Sequence, residues 1–247
     1  AVFGRTADAA LWANVPAIIL LLVATYGIGK TVMSPAGAAG AAVLVNFYPL
    51  MLWLSREAMM DYWLTSMVAL AMWLLVAKGL GNWNWSLAFG VVCGLGMLTK
   101  WTFAFFIALP FLWCARKNIR NAAASTFAGA VVAAYWYLPQ LASMTEFLGI
   151  NTADGVGEGD PSRFSLQALT FYLRALEGYQ LFLPLFVAFL AGAVLLSRRF
   201  DPQWMPIVCW ILSGWFGLML FQNKDPRYSV PLLPAVALIT AKVFEKK

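Results

Sequence analysis

Apolar residues come in long unbroken runs along this chain, and polar residues gather in the gaps between them. Nine runs approach the roughly 17–25 residues a helix needs to cross a bilayer. They are Leu11–Ile28, Ala36–Leu54, Tyr62–Ala77, Trp85–Leu98, Trp101–Ala115, Ala122–Pro139, Tyr179–Ser197, Trp204–Phe221 and Tyr228–Phe244. The fourth and fifth are short and meet at a tight turn at Thr99-Lys100. A transmembrane barrel would instead show ten-residue segments of alternating character. The runs therefore predict an all-α polytopic membrane helix bundle, about nine transmembrane helices in a single domain over residues 1–247. The one long gap, residues 140–178, has two parts. Asn151–Pro161 is rich in Gly and Asp and predicts an irregular loop. Phe164–Glu177 sets Phe164, Leu166, Leu169, Tyr172, Leu173 and Leu176 at helical spacing and predicts an external helix lying on the membrane interface.

Composition agrees. The chain is 62% hydrophobic and 11% charged, against about 45–50% and about 25% in soluble domains. There is no secretory leader pattern and no initiator Met, and Ala1–Arg5 enter mid-pattern, which predicts a piece of a longer protein. The net charge of +6 is spread at span ends, with no basic run longer than two residues, so no nucleic-acid partner is expected. With the N-terminus outside, the inner loops hold Lys30, Lys78, Arg116, Lys117, Arg120, Arg198, Arg199, Lys242, Lys246 and Lys247, and only Asp201 and Glu245 as acids. That excess satisfies the positive-inside rule. Several of the 12 Trp, among them Trp12, Trp53, Trp83, Trp85, Trp101 and Trp204, fall near span ends as an aromatic belt would. Cys93, Cys114 and Cys209 lie in apolar runs without metal spacing, and the absence of His removes imidazole bases and ligands.

This orientation puts the chemically interesting charges on the outer face. Ser55–Asp61 carries Arg56, Glu57 and Asp61 between two apolar runs. Charges are costly in hydrocarbon and usually functional where they occur. Glu57 and Asp61, four apart as on a helical turn, read either as an acidic site or as a hydrated loop in which Arg56 neutralises Glu57. Lys100 is a lone cation in a long apolar stretch, either snorkelling to the interface or clamping an anion. Lys224, Arg227 and Tyr228 stand at the mouth of the last span, which Pro231 and Pro234 interrupt. An Arg there can hold phosphate through two parallel bonds; the plainer alternative is a charged loop before a kinked helix.

In order along the chain, Gly27-Ile28-Gly29-Lys30, the small-residue span Ala36–Pro49, Ser55-Arg56-Glu57-x-x-x-Asp61, Gly94-Leu95-Gly96-Met97-Leu98-Thr99-Lys100 and Arg227-Tyr228-x-x-Pro231-x-x-Pro234 resemble the GT-C fold glycosyltransferases that use polyprenyl-phosphate sugars, of the protein mannosyltransferase (family 39) and aminoarabinose transferase type. The resemblance implies sugar transfer from a polyprenyl-phosphate donor to a glycolipid or protein acceptor hydroxyl, at the extracytoplasmic face of the inner (plasma) membrane. It implies that Asp61 is the acidic residue the family places in its active site, with Glu57 and Arg56 as its neighbours. Lys100 and Arg227 then lie near the lipid phosphate, with Lys224 and Tyr228 beside them as substrate-binding candidates. It also implies an essential acidic loop upstream of this chain, without which the piece is inactive. No cofactor is certain, and a role for a divalent metal stays open. A lipid-linked saccharide flippase or polymerase, a secondary transporter and a structural membrane subunit are the competing readings. A transporter would place charges near the midplane and show inverted repeats, which the sequence lacks.

Overall fold

The computed structural model describes residues 7–245, and of residues 7–10 only the backbone; Lys246 and Lys247, counted above with the inner loops, lie outside it. The described residues are mainly helical, with no strand. In chain order the helices are α1 (Ala7–Val32), α2 (Pro35–Phe47), α3 (Pro49–Leu54), α4 (Met60–Lys78), α5 (Trp83–Thr99), α6 (Phe103–Ala115), α7 (Ile119–Tyr137), α8 (Leu141–Gly157), α9 (Leu166–Ala175), α10 (Phe182–Arg198), α11 (Met205–Met219) and α12 (Leu233–Ala241). Local chemistry starts several of them. Ser34, Asn82, Asn118 and Ser165 cap α2, α5, α7 and α9 with side-chain oxygens that accept backbone N–H bonds.

By length and composition four segments suffice to cross a membrane: Leu11–Val32, Met60–Lys78, Leu166–Arg198 and Pro226–Phe244. Pro35–Phe47, Trp83–Thr99 and Phe103–Ala115 are shorter apolar helices. The expected span Ala36–Leu54 is broken at Tyr48, whose extended backbone (φ −60°, ψ 136°) precedes Pro49, as the steric demand of a following proline requires. The expected span Tyr228–Phe244 opens as a 3₁₀ segment, Pro226–Leu232, before α12 begins. The irregular loop expected over Asn151–Pro161 is a correction: α8 runs through to Gly157. Gly155 there lies so close to Asn223 that a Cβ would come 2.5 Å from its amide nitrogen.

Helix α4 is the hub, packing on α1, α5, α6 and the 226–232 segment. Helix α12, every residue buried, fills the space between α2 and α10. The α5–α7 contact rests on small residues. A Cβ on Gly94 would sit 2.8 Å from the Gly129 carbonyl oxygen, one on Gly129 would sit 2.9 Å from that of Gly90, and one on Gly90 would strike the Ser125 carbonyl. Close backbone approach through Gly-x-x-x-Gly is how helices associate where lipid removes the hydrophobic drive.

Between α9 and α10 the chain winds as a π-helix, Leu176–Leu181, and leaves it through Phe182 at φ +57°. Helix α9 is two-faced: Ala168, Tyr172 and Ala175 are buried while Leu166, Leu169 and Leu173 are exposed.

Candidate functional site

Asp61 enters the first turn of α4, where the helix macrodipole favours a carboxylate. Glu57 does not share that helix. It lies in the turn between α3 and α4, so the two acids are not stacked one turn apart as the sequence suggested. The turn is fixed from α1 by Asn14, 3% exposed, whose Nδ2 donates to the carbonyls of Leu54 (3.4 Å), Ser55 (3.1 Å) and Glu57 (2.9 Å). Arg56 is exposed, and neither it nor Glu57 joins an ion pair among the described residues.

Asp61 is 5% exposed, and its Oδ1 accepts a 2.7 Å bond from Lys100 Nζ. Lys100 is where α5 stops: its backbone turns extended (φ −160°, ψ 131°) and the chain reverses into α6. A carboxylate removed from water needs such a partner. Lys100 Nζ also lies 5.0 Å from the centre of the Tyr228 ring, within cation–π range.

Arg227 and Tyr228 arrive on the 3₁₀ segment that follows Asp225. Asp225 caps that segment through the Arg227 amide (2.7 Å) and grips the guanidinium through Nε and Nη2. Burial alone would raise the Asp225 carboxyl; the hydrogen bonds from Arg227 outweigh it and hold the group below its usual value. Arg227 Nη1 points at Met59 Sδ, 3.0 Å away, on the approach to Asp61. The Tyr228 hydroxyl donates to Asn223 Oδ1 at 3.0 Å. Asp61, Lys100, Arg227 and Tyr228 thus converge from three separate parts of the chain.

Lys224 departs from the sequence expectation. It is 5% exposed, and its ammonium donates to the Leu218 carbonyl (2.8 Å) and the Phe221 carbonyl, satisfying the C-terminal end of α11. Burial, the larger influence, pulls its pKa down to about 8 against the upward pull of Asp160. Asp160 in turn accepts from the Lys224 amide (2.6 Å), and its carbonyl accepts from Gln222 (3.0 Å). Sequence reasoning also missed Asn14 and Gln180. Gln180, on the π-wound segment, is 1% exposed and donates to the Pro226 carbonyl (2.6 Å) and Ser229 Oγ (2.8 Å). The available signal was a polar residue in or beside an apolar run, which is unfavourable unless it is hydrogen-bonded.

Chemically, the arrangement gathers two cations, each held by a carboxylate: Lys100 by Asp61 and Arg227 by Asp225. Among the described residues no group of three or more His, Cys, Asp or Glu gathers to hold a metal ion. An apolar groove of about 370 Å³ between α5, α6 and α7 begins at Met97 and Phe103, on either side of the Lys100 turn, and runs past Gly129 to Phe89 and Phe111. A second cavity, of about 530 Å³, lies at the opposite end of the bundle, between Leu75–Gly81, Trp113–Asn118 and Pro202–Pro206.

The fold is similar to that of ArnT from Cupriavidus metallidurans. The crystal structure of ArnT bound to undecaprenyl phosphate superposes with a TM-score of 0.71 at 15% identity, covering 94% of this chain and 45% of that one. The apo-state structure gives 0.68 at 15% identity, covering 95% and 44%. The chain thus spans under half the length of these structures, and at this identity the likeness is one of fold. No curated protein sequence matches the chain. Its apolar helices and this fold are those of an integral membrane protein. The sequence profile of dolichyl-phosphate-mannose-protein mannosyltransferases matches residues 1–142, more than half of the chain, through both the Ser55–Asp61 turn and Lys100, and the chain belongs to that family.

Proposed function

We propose that this chain carries the donor-phosphate part of the active site of a membrane glycosyltransferase. The enzyme moves a sugar from a polyprenyl-phosphate donor to an acceptor hydroxyl, on a glycolipid or protein, at the extracytoplasmic face of the inner membrane. The observation that carries the proposal is Lys100 bonded to Asp61 with Arg227 reaching Met59, two residues before Asp61, while an apolar groove starts at Met97 and Phe103 on either side of the Lys100 turn. A polyprenyl phosphate is a dianionic head on an apolar chain, and this pairing of cations with a groove fits both parts.

In the reaction the bond between the sugar's anomeric carbon and the phosphate oxygen breaks, and the acceptor oxygen takes the carbon. Polyprenyl phosphate leaves with the bonding electrons, and the acceptor's proton passes to a general base. Lys100 and Arg227 neutralise the charge that gathers on the departing phosphate. Asp61 keeps Oδ2 free of hydrogen bonds among the described residues while Oδ1 holds Lys100, so it orients the acceptor hydroxyl beside the phosphate. Holding the two reactants in line supplies much of the acceleration. Glu57 is the second carboxylate at the mouth, with Arg56 outside it and Tyr228 as the platform under Lys100. Lys224 supports the loop from below.

The test uses full-length protein in proteoliposomes with a lipid-linked sugar. Release of polyprenyl phosphate that depends on acceptor, and is lost in Lys100→Gln and Arg227→Gln, is the expected result. Passage of the intact lipid-linked sugar across the bilayer without release would identify a flippase and overturn the proposal.

A further inference from the structure

We infer that Gln180 is a positioning residue for the anion-binding pair, acting through Arg227. The inference rests on reading Lys100 and Arg227 as the phosphate ligands.

The Gln180 amide is buried, and its two N–H groups go to the two residues that bracket Arg227 and Tyr228: the Pro226 carbonyl at 2.6 Å and Ser229 Oγ at 2.8 Å. Ser229 Oγ donates in turn to the same Pro226 carbonyl at 3.1 Å, closing a three-membered network. Arg227 and Tyr228 are therefore held from behind while their side chains reach Met59 and Lys100.

The backbone around Gln180 supports a role beyond filling space. Leu166–Arg198 would make one continuous helix but for the π-wound turn at Leu176–Leu181 and the left-handed Phe182 that ends it. Each residue of ordinary helix advances by about 100°, so removing the π turn would swing Gln180 away from the 226–229 segment. A bulky residue in the left-handed region is strained and persists only where its surroundings enforce it. Phe182 is half-exposed and has little packing of its own to do so. The bonds of Gln180 to Pro226 and Ser229 are the local interaction that this winding makes available, and π turns of this kind gather at functional sites.

The test is a double-mutant cycle in the full-length protein, read as the Kd for undecaprenyl phosphate in nanodiscs. Gln180→Met keeps the volume and removes both donors. It should weaken binding about tenfold, the scale of one or two hydrogen bonds. In an Arg227→Gln background the same change should have less than about a twofold effect, whereas in a Lys100→Gln background it should keep its full effect. Unchanged binding in Gln180→Met, or equal weakening with and without Arg227, would overturn the inference while leaving the cation pair standing. Unchanged binding in Arg227→Gln would instead remove the reading beneath it. Should Gln180→Met fail to fold, Ser229→Ala replaces it, with a smaller loss expected to vanish in the same Arg227→Gln background.

Discussion

Replacing Asp61 by Asn removes one charge at nearly constant shape, and the effect depends on the surroundings of that side chain. The carboxylate is 5% exposed and 2.7 Å from Lys100, whose side chain keeps about a quarter of its surface in solvent. At an effective dielectric near 20 such a contact has a gross attraction of about 6 kcal/mol. Desolvation and the solvent at Lys100 offset most of it, and the Asn oxygen still accepts from the ammonium. The net loss of stability is therefore about 1 kcal/mol, including a few tenths from the helix N-terminus, a fall in Tm of about 2–4 °C. Affinity for undecaprenyl phosphate should hold or tighten, because Lys100 has lost the carboxylate that competes with phosphate for it. Turnover should fall by about 10²-fold, the scale on which lost positioning of a reactant slows a reaction. Binding, thermal melting and transfer measured on one preparation check all three. Turnover within about threefold of wild type, or phosphate binding lost along with turnover, would refute the reasoning, since Asp61 would then be only the counter-ion that shapes Lys100.

Gly90→Ala should destabilise the fold by about 1–3 kcal/mol through a clash with the Ser125 carbonyl, read as a lower melting temperature. Gly40→Ala on α2, where a Cβ meets nothing within 4 Å, should be neutral or stabilising, and equal effects at the two sites would contradict the close α5–α7 packing. Asn14→Ala strips the side-chain donor from three carbonyls and should destabilise by about 1–3 kcal/mol; thiol labelling of a Glu57→Cys reporter should quicken as the turn loosens. Lys224 has a folded-state pKa of about 8 against an ordinary 10.5, so between these values the unfolded chain binds more protons and stability rises with pH. Melting from pH 8 to 10.5 should therefore show a rise in the wild type that Lys224→Met lacks, and identical pH slopes would refute the burial of that ammonium.

The helical class and most of the spans were legible because unbroken apolar runs have few other solutions in a bilayer. The order of those runs also put Asp61, Lys100 and Arg227 at one end. What the order of runs leaves open is pairing. Lys100 lies 39 residues from Asp61, and only the packing of α4 on α5 and α6 decides that these two meet. The α8 region misled because its Gly and Asp residues look like loop formers, whereas Gly155 is there for the close approach of Asn223. Lys224 looked like a ligand because sequence shows a charge and not the carbonyls beneath it. Asn14 was detectable in principle, as an amide inside an apolar run. The π winding that turns Gln180 inward left no mark in composition or period.

Helix α12 bears on how the protein is made. Of the twelve helices α1–α12 it is threaded last, yet all of its residues are interior, and a backbone gap at Gly192 on α10 lets the Ile239 carbonyl press in. Until α12 leaves the ribosome, α2 has α1 beside it but lacks its other main neighbour. The nascent bundle must then wait in the membrane with an open seam. The turn bearing Arg227 is translated immediately before the helix that closes that seam. The turn that carries Arg227 to Met59 and the helix that closes the seam are therefore laid down in one stretch of synthesis and set in place together.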